Sequence, residues 1–296
     1  MIIDFTECKV NKFKTYGGAN GSKKGIIYNN ETYMLKFPQE AKRNKELSYA
    51  NSTISEYIGC QIYKCLQIPV QETLLGTYTF KGKEKIVVAC KDMETNGYKL
   101  KDFASIKNTI IDSARGGYGT ELHDVLETID EQDLVSQLEL KKNFWDMFVV
   151  ETFIGNFDRH NGNWGFLINE SSQDIKIAPI YDCGSCLFSE IDVGLMQKVM
   201  SIREELEYRI YVIPKSALMQ DGKKIGYFDF LSTTKNEDVK KSLVDINSRI
   251  NLNEINNIID SIVLIDDTQK SFYKYILKKR KELILEKSLA VMEKSF

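Results

Sequence analysis

The sequence predicts a two-lobed α+β protein, with a small lobe of strands around one helix followed by a larger and mainly helical lobe. Up to residue 90, short apolar runs bounded by polar turns indicate strands, interrupted by one stretch with helical periodicity. After residue 138, helical periodicity dominates. The chain has 296 residues, 43% of them hydrophobic, which suits two lobes better than one large domain. We place the lobes at residues 1–92 and 93–296.

The small lobe begins with a glycine-rich stretch, in which four glycines fall within residues 16–25. Glycines let backbone amides approach an anion closely, so this loop could cradle phosphates. The stretch lacks the Gly-Lys-Ser/Thr ending of a Walker loop, and a flexible hairpin would explain the same glycines. The candidate phosphate-binding residues are Gly18, Ala19, Asn20, Gly21, Ser22 and Lys23.

One helix and three further strands complete the small lobe. Residues 33–37 predict an apolar strand interrupted by Lys36. Residues 54–66 carry an apolar stripe at helical spacing, and Glu56 lies inside the same helix. Asn51 and Ser52 offer a cap for this helix. Residues 74–78 and 86–90 predict two paired strands. Taken alone, a lysine on a strand and a glutamate on a helix are most often solvated surface residues.

In the larger lobe, a buried helix and a hairpin frame a polar loop. Residues 138–157 have apolar residues at helical spacing, and Gly155 with Asn156 indicates where the helix ends. Residues 164–168 and 175–180 predict two short strands joined by a polar turn. This hairpin would return Asp182 to the side of Asn163. Residues 238–259 and 269–292 are helical in pattern.

The polar loop sets Asp158 five residues before Asn163, and Asp182 follows about twenty residues later. Phosphoryl transfer from ATP needs a carboxylate that accepts the proton of the attacking hydroxyl, and oxygen ligands for Mg²⁺. Asp158 suits the first role, and Asn163 and Asp182 suit the second. Each is also an ordinary turn former, but the joint spacing favours the catalytic interpretation. His160 lies between them and is expected to order the loop.

Charge and cysteine content restrict the function classes. The net charge of −2 predicts no direct binding of nucleic acid and no bulk attraction to anionic membranes. No apolar run reaches the roughly 20 residues that span a bilayer, and the amino terminus lacks a Sec-type signal, so we expect a soluble, cytoplasmic protein. The six cysteines are scattered. Cys183 and Cys186 form a Cys-x-x-Cys pair, but no second pair or nearby histidine completes a zinc site, and we disfavour a redox or metal role.

Residues 158–163, together with Tyr181 and Asp182, resemble the catalytic and metal-binding segments of the HipA-like serine/threonine kinases. The resemblance runs through nearly the whole chain and is strongest to the small, single-chain branch, which includes a cell-translocating kinase. It implies a bilobal, protein-kinase-like fold in which Asp158 is the catalytic base and Asn163 and Asp182 bind Mg²⁺. It also implies that Lys36 binds the ATP phosphates while Glu56 orders Lys36. Arg159 and His160 would support the catalytic loop.

The resemblance extends to further positions and shows one departure. The residues after the last small-lobe strand would form the adenine-binding hinge, which we place at Cys90, Lys91, Asp92 and Met93. Family members also phosphorylate themselves, and Ser22 is a plausible acceptor because a modified loop would no longer cradle ATP. Many HipA-like loops carry a lysine immediately before the metal-binding asparagine, where this chain has Gly162.

The sequence therefore predicts an ATP- and Mg²⁺-dependent protein kinase that acts on serine or threonine and phosphorylates itself. Two alternatives stay open. The loop also resembles that of phosphoinositide kinases, which transfer phosphate to lipid head groups, and a nucleotide-binding pseudokinase would act through a partner. An antitoxin-like partner occurs in the wider family, although nothing in this chain indicates one. Export without a Sec signal, followed by translocation into host cells, is the alternative to a cytoplasmic location.

Overall fold

The structure is a computed structural model that describes residues 2–17, 23–38, 51–111 and 115–294. Gly18, Ala19, Asn20, Gly21 and Ser22 of the predicted phosphate loop lie outside the described residues. In the described part of the chain, no helix is both long enough and apolar enough to cross a membrane.

A six-stranded sheet dominates the amino-terminal third of the chain. Its strands lie in the order β1-β5-β6-β4-β3-β2, and all neighbours are antiparallel except β1 and β5. The β3–β4 turn uses Asn29 and Asn30 with φ of 48° and 63°, and the β5–β6 turn uses Lys81 and Gly82 with φ of 50° and 73°. Positive φ at both turn residues matches the twist of paired strands. The strands are β1 Ile3–Asp4, β2 Lys9–Val10, β3 Lys23–Tyr28, β4 Glu31–Lys36, β5 Thr73–Phe80 and β6 Lys83–Lys91.

Helix α1, Ser52–Cys65, connects the sheet to the rest of the protein. The sheet has its own apolar cluster around Phe5, Ile26 and Leu35. The apolar side chains of α1, by contrast, belong to the large core formed with the carboxy-terminal helices. Arg249 donates a hydrogen bond of 2.7 Å to the carbonyl of Leu66 at the end of α1. Leu75 and Ile86 of the sheet pack against the same core, and Thr53 of α1 donates to the carbonyl of Ile86. Helix α1 therefore contacts both parts of the protein, and the lobe boundary at residue 92 stays a prediction.

The remainder of the chain is mainly helical around a small antiparallel sheet. Strands β7 Lys99–Asp102, β8 Gly165–Asn169 and β9 Asp174–Ile177 form this sheet in the order β7-β8-β9, and β10 Met219–Gln220 pairs with β11 Lys223–Lys224. The helices are α2 Phe103–Ile110, α3 Leu122–Glu131, α4 Gln137–Ile154, α5 Val193–Ser201, α6 Arg203–Glu207, α7 Tyr227–Thr233, α8 Glu237–Arg249, α9 Leu252–Ser261, α10 Asp267–Arg280 and α11 Lys287–Glu293. Two π-helical turns, Tyr208–Val212 and Lys281–Glu286, follow α6 and α10.

The α+β class and the elements around the polar loop are confirmed, with small shifts of boundary. Helix α4 ends at Ile154 because Gly155 takes a left-handed φ of 68°, which closes the helix as the sequence predicts. Asn51 occupies the cap position of α1 but makes no capping hydrogen bond. Its side chain instead donates to the carbonyl of Ile191 and accepts from Gln269. The helical stretch predicted at residues 238–259 divides into α8 and α9 at Ile250.

Candidate active site

Lys36 contacts acidic side chains from two other elements. It lies at the end of β4, and its Nζ is 2.9 Å from Oε2 of Glu56 on α1 and 2.8 Å from Oδ1 of Asp182 in the loop after β9. The Glu56 side chain is only 1% exposed, and its Oε1 accepts a hydrogen bond from the backbone of Cys183. A single ammonium group therefore connects the sheet, α1 and the loop that carries Asp182.

The charges of this cluster stabilise one another. Burial disfavours the charged form of Lys36, but the carboxylates of Asp182 and Glu56 outweigh burial and raise the pKa of Lys36 well above its ordinary value. The ammonium of Lys36 in turn lowers the pKa of Asp182, which burial alone would raise. Both groups are therefore charged at neutral pH.

Lys23 is the one predicted phosphate-loop residue within the described part of the chain. It begins β3 directly opposite Lys36 in the β3–β4 register. Its positive charge also contributes to the lowered pKa of Asp182. The site therefore presents two lysines on neighbouring strands near one carboxylate, an arrangement that suits an anionic ligand.

Asp158 follows the end of α4 at the start of the polar loop. Its backbone nitrogen donates to the side chain of Asn156, and its carbonyl accepts from the Asn163 amide at 2.8 Å. Burial raises the pKa of the Asp158 carboxyl; the Asp182 carboxylate adds to this effect, while His160 opposes it. The side chain is nevertheless solvent-exposed, so an incoming hydroxyl group can reach it.

Asn163 and Asp182 supply the donor chemistry that Mg²⁺ prefers. The Asn163 nitrogen donates to the Asp158 carbonyl, which leaves the amide oxygen as a potential ligand. Asp182 is 37% exposed and offers a carboxylate. Across the described ranges, no group of three His, Cys, Asp or Glu side chains could hold a metal ion. Protein-bound Mg²⁺ usually takes only one or two carboxylates and completes its shell with phosphates and water, so these residues fit the ion.

Arg159 connects the polar loop, residues 158–163, to the loop that carries Asp182. The buried guanidinium pairs with Glu151 on α4 at 2.7 Å. It also donates to the carbonyls of Asn163 and Tyr181 and to the sulfur of Cys183. Glu151 outweighs the burial that disfavours the charged guanidinium, and the pKa of Arg159 is raised well above its ordinary value. The sequence offers one signal for Glu151, which is an acid near the end of an otherwise apolar helix.

Gly162 is the position at which the sequence departs from the HipA-like pattern. The Gly162 nitrogen donates to Nδ1 of His160 at 3.0 Å. A Cβ added to Gly162 would lie 3.0 Å from ring atoms of both His160 and Tyr118, closer than ordinary van der Waals contact. The space beside residue 162 is thus filled by two rings. A lysine there would have to displace them.

Sequence reasoning missed a support beneath the polar loop. The buried Asn161 side chain donates to the carbonyls of Gly117 and Gly119, at 2.9 and 2.8 Å. Lys107, which is fully buried, donates to the Gly119 carbonyl and pairs with Asp124. A backbone carbonyl can come from any residue type, so sequence patterns do not indicate contacts of this kind.

The four predicted hinge residues end β6 and begin the crossing to the larger lobe. Cys90 is fully buried, and burial raises the pKa of its thiol. Lys91 uses both backbone groups, donating to the Glu72 carbonyl and accepting from the Gln71 side chain. The Asp92 carboxylate binds Lys14 at 2.7 Å and the Tyr16 hydroxyl at 3.0 Å. Met93 packs against the cluster around Leu167 and Tyr181. The structure therefore places them between the lobes, and their adenine contacts stay a prediction.

The sequence is also similar to known proteins. The chain matches the family described as the HipA-like C-terminal domain over residues 14–262. It is 50% identical over 285 residues to the serine/threonine-protein kinase CtkA of Helicobacter pylori strain J99, an alignment that covers 96% of this chain and 86% of that protein.

Two solved structures share the fold. A crystal structure of the Helicobacter pylori proinflammatory kinase CtkA superposes with a TM-score of 0.90 and 47% identity, covering 98% of both chains. The Shewanella oneidensis HipA structure, in complex with HipB and operator DNA, superposes with a TM-score of 0.57 at 15% identity, covering 96% of this chain and 70% of that one, which is a likeness of fold alone. The family match and the extended identity to CtkA together establish that this chain belongs to the HipA-like family.

Proposed function

We propose that this protein transfers the γ-phosphoryl group of ATP to serine or threonine hydroxyls of protein substrates, with Mg²⁺ as the metal. The chain is a serine/threonine protein kinase of the HipA-like type. The observation that best supports the residue roles is the contact of Lys36 with both Glu56 and Asp182, at 2.9 and 2.8 Å. Kinases need a phosphate-binding lysine, a helical acid and a metal-binding carboxylate in one place.

In the proposed mechanism, Asp158 accepts the proton of the acceptor hydroxyl. The hydroxyl oxygen forms a bond to the γ-phosphorus while the bond between that phosphorus and the β–γ bridging oxygen breaks, and ADP leaves. Lys36 and Lys23 bind the phosphates and offset their negative charge. Asn163 and Asp182 would hold Mg²⁺, which would supply positive charge against the phosphate oxygens. Arg159 holds the two loops in register, and His160 orders the catalytic loop.

The hinge and the glycine-rich loop complete the nucleotide site in this proposal. Cys90, Lys91, Asp92 and Met93 line the adenine, and residues 18–22 cover the phosphates. Self-phosphorylation at Ser22 would place a charge of about −2 in that loop and repel ATP. Mass spectrometry after incubation with ATP tests this step, because undiminished phosphate on a Ser22→Ala protein would contradict it.

Location and partners stay predictions. We expect the protein in the cytoplasm, with export as the alternative, and we expect neither direct nucleic-acid binding nor a membrane-embedded segment. Fractionation of cells and culture medium separates the two locations. An antitoxin-like partner would appear as a second chain co-purifying with the kinase.

The decisive test is incubation of the purified protein with Mg²⁺ and γ-labelled ATP, alone and with a generic protein acceptor. An Asp182→Asn variant is the matched control, because it keeps the shape of the side chain but loses the carboxylate charge. We expect label on protein with the wild type only. Label on phosphatidylinositol vesicles but not on protein would indicate a lipid kinase, and ATP binding without transfer would indicate a pseudokinase.

A further inference from the structure

A groove beside Asp158 is not used by the nucleotide chemistry. It has a volume of about 400 Å³ and begins at Gly155 and Phe157, immediately before Asp158 in the chain. Its other walls come from the segment after the Asp182 loop, from the π-helical turn after α6 and from β11. The lining residues are Gly155, Phe157, Phe188, Glu190, Ile191, Arg209, Val212, Ile213, Pro214, Lys215 and Lys224.

The apolar part of the groove is built on fixed elements. Phe188 and Ile191 are 7% and 6% exposed, and the Leu187 nitrogen donates to the carbonyl at the end of α4 at 2.9 Å. The buried guanidinium of Arg280 donates to the carbonyls of Thr152 and Arg209, which joins α4 to the π-helical turn. A rigid apolar floor of this kind suits insertion of one side chain from a partner.

The charged part of the groove is positive. Arg209, Lys215 and Lys224 line it against a single acid, Glu190. Within the described ranges, none of these three basic side chains forms an ion pair, and the buried Nε of Arg209 has no hydrogen-bond partner. Arg209 lies over the rings of Tyr208 and Phe188 instead. Unpaired cations around an apolar floor are complementary to an acidic partner with an apolar anchor.

We propose that this groove binds the acceptor segment of the protein substrate and selects segments in which an apolar side chain and nearby acidic residues flank the serine or threonine. The apolar side chain packs on Phe157, Phe188 and Ile191, and the acidic residues lie against Arg209, Lys215 and Lys224. This binding presents the hydroxyl to Asp158. The inference rests on the proposed kinase function and adds the class of acceptor to it.

The test uses three synthetic peptides with one central serine. The first carries an apolar residue and two glutamates, the second replaces the glutamates with lysines, and the third replaces the apolar residue with asparagine. For the wild-type protein we expect kcat/KM for the first peptide to exceed that for the other two at least roughly tenfold, mainly through KM. Equal values for all three peptides would overturn the proposal.

Exposed groove residues supply variants that should fold. Lys215→Glu should raise the KM for the glutamate peptide roughly tenfold and improve phosphorylation of the lysine peptide, because the sign of the local charge is reversed. Val212, which is 45% exposed, is changed to Asp to block the apolar anchor. The matched controls lie on α8, where Lys241→Glu and Val244→Asp, at a valine 57% exposed, should leave all three peptides unaffected. Similar losses in groove and control variants would contradict the assignment.

Peptide binding measured without ATP separates this inference from the proposed function. Fluorescence anisotropy of the labelled glutamate peptide should show binding that Lys215→Glu weakens. If Lys215→Glu weakens peptide binding but the protein transfers no phosphate, the result would contradict the kinase proposal and support the groove as a peptide-binding site. Phosphorylation of generic proteins without peptide selectivity would do the reverse. A preference for phosphatidylinositol vesicles, lost in Lys215→Glu, would assign the groove to a lipid instead and overturn the peptide proposal.

Discussion

At the scale of single residues, Asp158 is the group whose chemistry depends most on its surroundings. Its pKa is raised above the ordinary value of 3.8, first by burial and then by the Asp182 carboxylate, while His160 opposes the shift. The ionised form is the proton acceptor in the proposed mechanism. Activity is therefore lost as pH falls through a pKa higher than that of a free aspartate.

The pH dependence of kcat/KM tests this assignment. We expect an acidic limb that falls tenfold per pH unit below a pKa above 3.8. A His160→Gln variant keeps a side-chain acceptor for the Gly162 nitrogen but removes the charge that lowers the pKa of Asp158. The limb should then move to higher pH. A limb that stays in place in His160→Gln would show that another group controls the rate.

The Lys36–Glu56 pair gives a second residue-scale prediction, for stability. In Lys36→Met, the almost fully buried Glu56 loses its cation, so we expect a loss of about 3 kcal/mol in the free energy of unfolding at pH 7. The double variant Lys36→Met/Glu56→Gln should recover most of this loss. Urea denaturation measures both values.

An ion pair on the surface provides the control for these two variants. Lys91 and Glu31 lie 2.6 Å apart, but their side chains are 31% and 47% exposed. Removing Lys91 should therefore lower the free energy of unfolding far less than Lys36→Met does. A comparable cost for Lys36→Met would mean that Glu56 stays well solvated without its lysine.

At the scale of elements, residues 116–119, which support the polar loop through Asn161, have a demanding backbone geometry. Gly117 has a φ of 80°, and a Cβ there would lie 1.8 Å from the carbonyl oxygen of Ala104 on α2. Gly116 also has a positive φ, 57°, but a Cβ there would meet nothing within 4 Å. The two positions therefore share backbone strain and differ in steric conflict.

Alanine at these two glycines separates the two effects. Gly116→Ala should cost roughly 1 kcal/mol, from the left-handed backbone alone. Gly117→Ala should destabilise the protein clearly more and also lower kcat, because the Gly117 carbonyl accepts from Asn161 in the catalytic loop. Thermal denaturation and steady-state kinetics measure these quantities. Equal stability of the two variants would contradict the predicted steric conflict.

The elements also show where sequence reasoning succeeds. The end of α4 was predictable because Gly155 supplies a left-handed residue after an apolar helical run. The β8–β9 hairpin was predictable because two apolar runs flank a polar turn. The role of Arg159 in joining two loops was not, since its acceptors include the carbonyls of Asn163 and Tyr181. Any residue could supply such a carbonyl, and only the fold brings it near.

At the scale of the whole molecule, the large apolar core includes residues from both sides of the predicted lobe boundary at residue 92. The sheet cluster around Phe5 is separate from the large core, which includes Ile54 and Ile58 of α1. Periodicity correctly predicted the apolar stripe of α1, but it does not indicate which surface the stripe packs against. Glu56 therefore lies on a helix whose apolar side chains join the larger core, while Lys36 lies on a strand of the sheet.

This arrangement predicts that nucleotide binding stabilises the entire protein. Mg²⁺·ATP that contacts both lobes should raise Tm, by roughly 5 °C at a concentration one hundred times its Kd. Asp182→Asn should remove the part of the increase that depends on Mg²⁺. Differential scanning fluorimetry with and without EDTA checks this. An increase that is identical with EDTA and in Asp182→Asn would exclude the metal role of Asp182.

The position of Lys36 between Glu56 and Asp182 also has a thermodynamic consequence. One ammonium group acts as counter-ion to two carboxylates, so a phosphate that binds Lys36 weakens the compensation of Asp182. In the proposed site, a divalent cation at Asp182 would restore that compensation and leave Lys36 free for the phosphate. If both bind as proposed, each ligand increases the affinity of the other, and by the same factor. The enzyme should consequently take up nucleotide and metal as a cooperative pair, with free ATP as a weak competitor.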